Sequence, residues 1–531
     1  MPDTPKQPGP NRRSAFKKML GLGAGMAASS EFLSQQAVGQ TASPSPAKSA
    51  SAPAESVLFA FDDRWLPLQH GLHLSLVSYQ SAEGAPVTNM AVPPGPPGAP
   101  DASGILYYGT VCKVGDEYWM WYLGLGDHDT KKHFRVCLAK SKDGRKWDKP
   151  NLGLVEYAGS KRNNLVDLDQ ARFSPGGCVV YYEPEDPDAG RRFKMIFTGK
   201  FPGLLFGVAY SPDGARWKES PNNPRGTVKL EPAGGIKYKG VYYVNGQGGR
   251  HWSPDGWARS MVTHMSYDFE NWTEATAMGF RRDPLPPHPL DRAVSTSGEQ
   301  VHIGAGLWDR GNVILGFYGQ WHGDPNADRR WVSIDTGFLV SHDALHFYEP
   351  IPDFRMVQSK ENFDWWLPGG KIAPIYRAPA LMQGQGFANV GNDTLFWYSV
   401  WIVPEGGVRF ARWDRDRLGY LQPFVGPKDT PHLISAAVPT DGKGVAISLN
   451  VAGLNELSKV KVSVLDEQFH QLPGYSGADC TAPEKAGLRQ RVQWGTKDRV
   501  TATGPIRVRV DFGGVRPEDL KLYAVYVEAL G

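Results

Sequence analysis

The chain has little cysteine, four residues in 531. Cys112, Cys137, Cys178 and Cys480 are too few and too scattered for a disulfide framework or a thiolate metal cluster, and they read as small core residues. No dense His/Cys grouping argues for a transition metal. The metzincin, nucleophile-elbow, P-loop and dinucleotide-binding signatures are all missing. Charge excess is missing too. The net charge of +3 comes from residues 1–39, which hold five basic and two acidic side chains; 53 of each sign remain without them. A neutral body excludes nucleic acid and an anionic membrane surface as electrostatic partners. No apolar run is long enough to span a bilayer.

What the first 39 residues do contain is an address. Asn11-Arg12-Arg13-Ser14-Ala15-Phe16-Lys17 precedes a short, glycine-broken apolar run from Met19 to Ala28. This resembles a twin-arginine export signal, with cleavage expected near Ala37-Val38-Gly39 and a periplasmic or secreted product. A Ser/Ala/Pro-rich linker follows over 40–56.

The strongest feature of the remainder is a turn that returns four times: Ser141-Lys-Asp143-Gly-Arg-Lys-Trp147, Ser211-Pro-Asp213-Gly-Ala-Arg-Trp217, Ser266-Tyr-Asp268-Phe-Glu-Asn-Trp272 and Ser341-His-Asp343-Ala-Leu-His-Phe347. A degenerate fifth copy lies near Arg412. Ahead of each stands a glycine turn opening an aromatic strand, as in Gly115-Asp-Glu-Tyr-Trp-Met-Trp-Tyr122 and Gly391-Asn-Asp-Thr-Leu-Phe-Trp-Tyr398. Ser and Asp side chains accept bonds from backbone N–H groups two residues on, so the motif is a corner with a mechanism. Those aspartates therefore read as architecture, and the closing aromatic as a plug between neighbouring units. A unit of about four short strands cannot bury both faces alone, so five of them predict an all-β chain with a five-bladed β-propeller. Blades are expected at about 104–150, 172–220, 231–275, 299–350 and 378–422.

After Pro431 the texture changes to strict alternation, as in Gly444-Val-Ala-Ile-Ser-Leu-Asn-Val451 and Ile506-Arg-Val-Arg-Val-Asp-Phe512. Half-buried strands separated by turns predict a C-terminal β-sandwich over 431–531, following a propeller domain over 57–425.

The corners, the Tyr-x-Met-x-Tyr strands and the stretch Ser141 to Val155 with Gly159-Ser160 and Asn163-Asn164 resemble the glycoside hydrolases of families 43 and 32, and the family 32-like or 43-like exported propellers of planctomycete type. That resemblance covers residues 57–425. It implies a carbohydrate substrate of plant or algal type, no required cofactor (a structural calcium would need only oxygen ligands), and carboxylates projecting from the innermost strands into one end of the propeller. One protonates the leaving oxygen; a second activates water or attacks the sugar. Glu231-Pro-Ala-Gly-Gly-Ile-Lys-Tyr-Lys-Gly240-Val-Tyr-Tyr243 keeps the family 43 spacing from the acid to its glycine turn, although Glu-Gly-Pro has become Glu-Pro-Ala. Glu231 is thus the expected general acid, against the competing reading of a surface glutamate. The expected Asp of blade one is replaced by Tyr107-Tyr108-Gly-Thr-Val, which leaves Asp101, Glu299 or Asp63 as base or nucleophile. The Asp62-Asp63 pair reads equally as a cap. His302, three residues after Glu299, is a further candidate. Trp321, Trp365, Trp366, Gln385 and Arg250 are expected against substrate, since sugar C–H faces stack on rings while hydroxyls seek amides and cations.

Two rivals share these residues. A carbohydrate-binding propeller without catalysis fits the missing blade-one Asp. A propeller-type glycoside phosphorylase would need Arg, Lys or His beside the acid to hold phosphate.

Overall fold

The computed structural model describes residues 54–79, 89–129, 133–168, 176–199, 205–225, 230–248, 259–282, 300–322, 333–359, 380–400, 406–440, 442 and 444–530. The expected export signal, nearly all of the linker, and Arg250, Glu299, Trp365 and Trp366 lie outside them. The chain is all-β: apart from short 3-10 turns, the described residues form strands and the turns that join them. None of their helices is long and apolar enough to cross a membrane.

Four short strands lead: β1 (Glu55–Phe59), β2 (Leu68–His70), β3 (Leu72–Leu76) and β4 (Met90–Val92). Five antiparallel units follow. The first is β5 (Gly104–Val114), β6 (Glu117–Leu125) and β7 (Phe134–Ser141). The second is β8 (Cys178–Tyr182), β9 (Phe193–Thr198), β10 (Phe206–Ser211) and β11 (Lys218–Glu219). The third is β12 (Glu231–Tyr238), β13 (Val241–Gly248), β14 (Ser260–Ser266) and β15 (Ala277–Phe280). The fourth is β16 (Gln300–Asp309), β17 (Ile314–His322), β18 (Ser333–Ser341) and β19 (Phe347–Tyr348). The fifth is β20 (Leu381–Val390), β21 (Asp393–Val400) and β22 (Val408–Asp414), completed by β4 from the start of the chain.

The opening strands of the five units, β5, β8, β12, β16 and β20, neighbour one another in a closed circuit. The circuit shuts through a parallel bridge between Gln385 and Thr110. Glycine is what lets them come so close. A Cβ on Gly234 would sit 2.1 Å from the Ala305 carbonyl oxygen, and one on Gly306 2.1 Å from that of Gly384. Side chains then sew unit to unit. Thr110 Oγ1 donates to Cys178 O and accepts from Val180 N, while Asn245 Nδ2 donates to Ala305 O and its Oδ1 accepts from Ala305 N.

The Ser-x-Asp corners are as the sequence requires. In all four, the serine Oγ accepts from the fourth residue's amide (2.8–3.1 Å) and the aspartate Oδ1 from the fifth and sixth. The closing tryptophans also plug the gaps between units: Trp147 packs edge-on against Trp397 of unit five, and Trp217 against Trp121 of unit one.

The last strands are β23 (Gly419–Pro423), β24 (His432–Ile434), β25 (Val445–Ala452), β26 (Ser458–Leu465), β27 (Cys480–Ala482), β28 (Gly487–Arg491), β29 (Gln493–Trp494), β30 (Arg507–Gly514) and β31 (Lys521–Ala529). They form two main sheets over one apolar core that includes Leu58, Val460, Val510 and Val525. The division expected between 57–425 and 431–531 is not how these strands pair. β1 lies on β31, β2 on β24 and β3 on β23, so the leading segment belongs to the C-terminal sheets before it reaches unit five. An unpaired sheet edge is a liability, and the partner here comes from hundreds of residues away.

Candidate active site

Within each unit the first strand starts, the second ends and the third begins at the same end of the ring, opposite the corners. At this mouth, Glu231 is the first residue of β12, half-buried, and its Oε2 accepts from Gln247 Nε2 at 3.1 Å. Antiparallel pairing sets these two residues opposite each other, which is why the contact forms. Gln247 Oε1 also takes bonds from Ile303 N (3.4 Å) and Arg259 Nη1 (3.5 Å). The Arg259 guanidinium lies 4.4 Å from the centre of the Trp321 ring, a cation–π distance. Trp321 in turn lies 5.6 Å from the His302 ring, and His302 6.4 Å from Tyr108 of unit one. A carboxylate, an amide, a guanidinium, an imidazole and aromatic rings from three units are thus linked at one mouth.

The backbone under His302 is strained. β16 bulges between His302 and Ala305, with Ile303 at φ 65° and Gly304 at φ 133°. A β-branched residue with positive φ is a true outlier. Such strain costs on the order of 1–3 kcal/mol and persists where the surroundings force it. Here the Ile303 amide is aimed at Gln247, the residue that holds Glu231.

The remaining expected residues are engaged in contacts of their own. Asp101 is fully buried over β6 and β7, outward of the inner strand, with its Cβ close to the position a Cβ on Gly124 would take. Tyr122 OH and Lys149 Nζ donate to its Oδ2 (2.7 and 2.5 Å), and Gly95 N to its Oδ1. With three donors, one cationic, it ties the segment before β5 to unit one. Asp63 sits at the corner end. Its neighbour Asp62 accepts from Arg64 N and meets His342 Nε2 at 3.1 Å, as the capping reading requires. Gln385 accepts from Leu307 N and Gly235 N and donates to Leu307 O, which makes it a clasp across units three, four and five. Trp321 is 1% exposed, so its ring supports Arg259 and His302 from below.

Sequence reading missed Gln247, Arg259 and Ile303. Their signal was register: Gln247 is the partner of Glu231 across a hairpin whose turn, Lys239-Gly240, was already recognised. Asp335 on β18 was missed as well. Ser359 N donates to its Oδ1, and His322 Nε2 and Arg355 Nε stand 3.3 Å from its Oδ2. Burial works to raise its pKa, but the approach of His322, the Ser359 hydrogen bond and the Arg355 charge outweigh it and hold the carboxyl below the usual range. It remains a buried, paired anion that anchors His322. Among the described residues, no group of three or more His, Cys, Asp or Glu side chains is gathered to hold a metal ion.

No family model matches the chain, and no curated protein matches it in sequence. Solved structures resemble part of it. A glycosyl hydrolase from Bacteroides ovatus is 14% identical and aligns over 65% of this chain and 95% of its own, with a TM-score of 0.41. A structure from the GH130 family of mannoside phosphorylases, described as containing glycoside hydrolases that target β-1,2 mannosidic linkages in Candida mannan, is 14% identical over 64% and 95%, with a TM-score of 0.40. An N-acetylgalactosamine deacetylase from F. plautii, in complex with blood group B trisaccharide, is 12% identical over 66% and 97%, with a TM-score of 0.39. Likenesses of this extent assign neither family nor substrate to the chain.

Proposed function

We propose that the five units form a five-bladed β-propeller, that the C-terminal sheets form a β-sandwich, and that the chain is an exported glycoside hydrolase acting on a plant- or algal-type glycan. The observation that carries this reading is Glu231: a half-buried carboxylate opening an inner strand, held by a neutral amide, with Arg259, His302 and Trp321 linked to it at one mouth. Glu231 acts as the general acid and protonates the glycosidic oxygen as the bond to the anomeric carbon breaks. Gln247 orients the carboxyl without adding charge. Arg259, spread over the Trp321 ring, offers donors to sugar hydroxyls. The second carboxylate is Glu299, one residue ahead of Gln300, whose Oε1 accepts from Arg259 N. In this reading Asp101, held by Tyr122, Lys149 and Gly95, and Asp63, beside the capping Asp62, take no part in the chemistry. The separation of the two carboxyl groups sets the outcome: about 5–5.5 Å for retention and about 6.5–9.5 Å for inversion.

One observation favours phosphorolysis as a second reading. Arg259 shares Gln247 with the acid and stacks on the ring beside His302, so it can meet an anion there. A hydrolysis screen of the purified protein on aryl-glycosides and plant and algal polysaccharides, with and without phosphate, tests both. Turnover without phosphate supports the hydrolase; turnover that needs phosphate replaces it with the phosphorylase. Silence on a broad panel, with sugar binding retained, removes catalysis altogether.

A further inference from the structure

A cavity of about 480 Å³ lies on the C-terminal sheets, away from the mouth. One wall is the start of β26, the edge strand of the β2–β24–β30–β26 sheet, and another is β27 with the residues that follow it. Its volume is within the range of small-ligand sites, roughly 300–1,000 Å³. Leu454, Val460 and Pro483 give it an apolar floor. Around that floor stand Glu456, Lys459, Lys461, Glu484 and Lys485. Lys461 Nζ donates to Cys480 O at 2.6 Å. No ion pair is formed by any of these five among the described residues, although both signs are present.

The chemistry of this lining selects a ligand. Lysine heads only donate hydrogen bonds and carboxylates only accept them, so a partner satisfying both needs groups that do both. Sugar hydroxyls do. The apolar floor suits sugar C–H faces, and with no aromatic in the lining, contact is by edge rather than by stacking. Three cations against two anions favour a ligand that is itself anionic. An acidic peptide meets the same lysines, and its backbone N–H groups can meet the glutamates, so it is the rival occupant that the peptide arm of the test separates. We propose that this cavity is an accessory binding site for a short acidic oligosaccharide, its carboxylates on Lys459 and Lys485 and its hydroxyls on the two glutamates. The site is independent of Glu231 and is read by binding without turnover.

The test is calorimetric titration of the full chain with tetragalacturonate, with maltotetraose as the neutral arm and tetraglutamate as the peptide arm. Tetragalacturonate is expected to bind at least about tenfold more tightly than either control, a difference of about 1.4 kcal/mol. Added salt should weaken it, as for any exposed charge pairing. The double variant Lys459→Ala/Lys485→Ala changes only exposed side chains; it should lose that preference while its thermal unfolding stays unchanged. Arg259→Ala, which removes the cation proposed to hold sugar at the mouth, should bind tetragalacturonate like wild type, which separates failure of this site from failure of the mouth. Equal binding of maltotetraose or tetraglutamate, retained preference in the double variant, or no binding at millimolar tetragalacturonate overturns the proposal.

Discussion

The two ends of the same strands are built on different rules. At the corner end, units one to four repeat one another to within a few tenths of an ångström, and each bond spans at most three residues. At the mouth the contacts of the described residues do not repeat from unit to unit. The contacts that gather Glu231, Gln247, Ile303 and Trp321 join residues 16 to 62 positions apart, two of the three across units. Repetition suits a corner because every unit must turn and dock in the same way. A reactive site needs the opposite, several different groups meeting once. The fold therefore confines sameness to one end and leaves the other free to differ.

If that division is right, the largest effect should come from the least repeated residue. Glu231→Gln is expected to lower kcat by about 10²–10⁴-fold, the usual contribution of a positioned general acid, with an unchanged unfolding midpoint. Loss of fold in this variant would place Glu231 among the structural residues and break the comparison at its strongest point. Next comes the glycine belt between the two ends. Gly306→Ala puts a Cβ against the backbone carbonyl oxygen of Gly384, which cannot rotate away. A destabilisation of about 3 kcal/mol is expected, at the upper end for overpacking. Denaturant titration should show it before any change in substrate preference.

The corners allow a smaller and more symmetrical test. Their fourth residue has φ of +67°, +72°, +67° and +62° at Gly144, Gly214, Phe269 and Ala344. Two copies thus place a side chain where L-residues cost about 1–2 kcal/mol. Gly144→Ala should destabilise by at least that amount, since its Cβ would also press on Trp397 at 2.9 Å. Ala344→Gly should cost less than Gly144→Ala, because relief of backbone strain offsets the added freedom of the unfolded chain. Equal losses in the two variants would mean that the corners are held by packing and not by backbone conformation.

How far the sequence could be read follows the same line. The corners were legible because their requirement is local: Ser and Asp next to the amides they bind, Gly where φ is positive. The place of Glu231 at the start of its strand was legible because a hairpin turn at fixed distance marks that start. For Asp101 the side on which its carboxyl emerges was not legible, for a physical reason. Its distance to Gly104 fixes its position along the chain but not the side on which its carboxyl emerges, and Tyr122 and Lys149 draw it outward. Gln385 and Trp321 look like ligand-binding side chains by type, yet the ring consumes both, one as a clasp and one as a buried support. Least legible was the leading segment. Phe59 opposite Ala524, or Leu74 opposite Leu421, leaves no period in the sequence, because pairing at that separation is decided by which sheet edges remain open.

The smallest expected effect is also the most specific to the corner end. Burial works to raise the pKa of Asp268, but the amide and side chain of Asn271, the Glu270 amide and the Ser266 hydroxyl outweigh it and bring the pKa to about 2, from an ordinary 3.8. Asp143, Asp213 and Asp343 are shifted in the same direction by the same kinds of bond. A carboxyl with a depressed folded-state pKa contributes stability that is complete above its unfolded pKa and is lost as pH falls through the folded one. The corners should therefore weaken together between about pH 4 and pH 2. Asp268→Asn keeps an acceptor oxygen but cannot ionise, so its unfolding midpoint should lie slightly below wild type near neutrality and converge with it as the pH approaches 2. A gap that stays constant across that range would mean that the aspartate's charge adds nothing to the corner and its shape alone is what repeats.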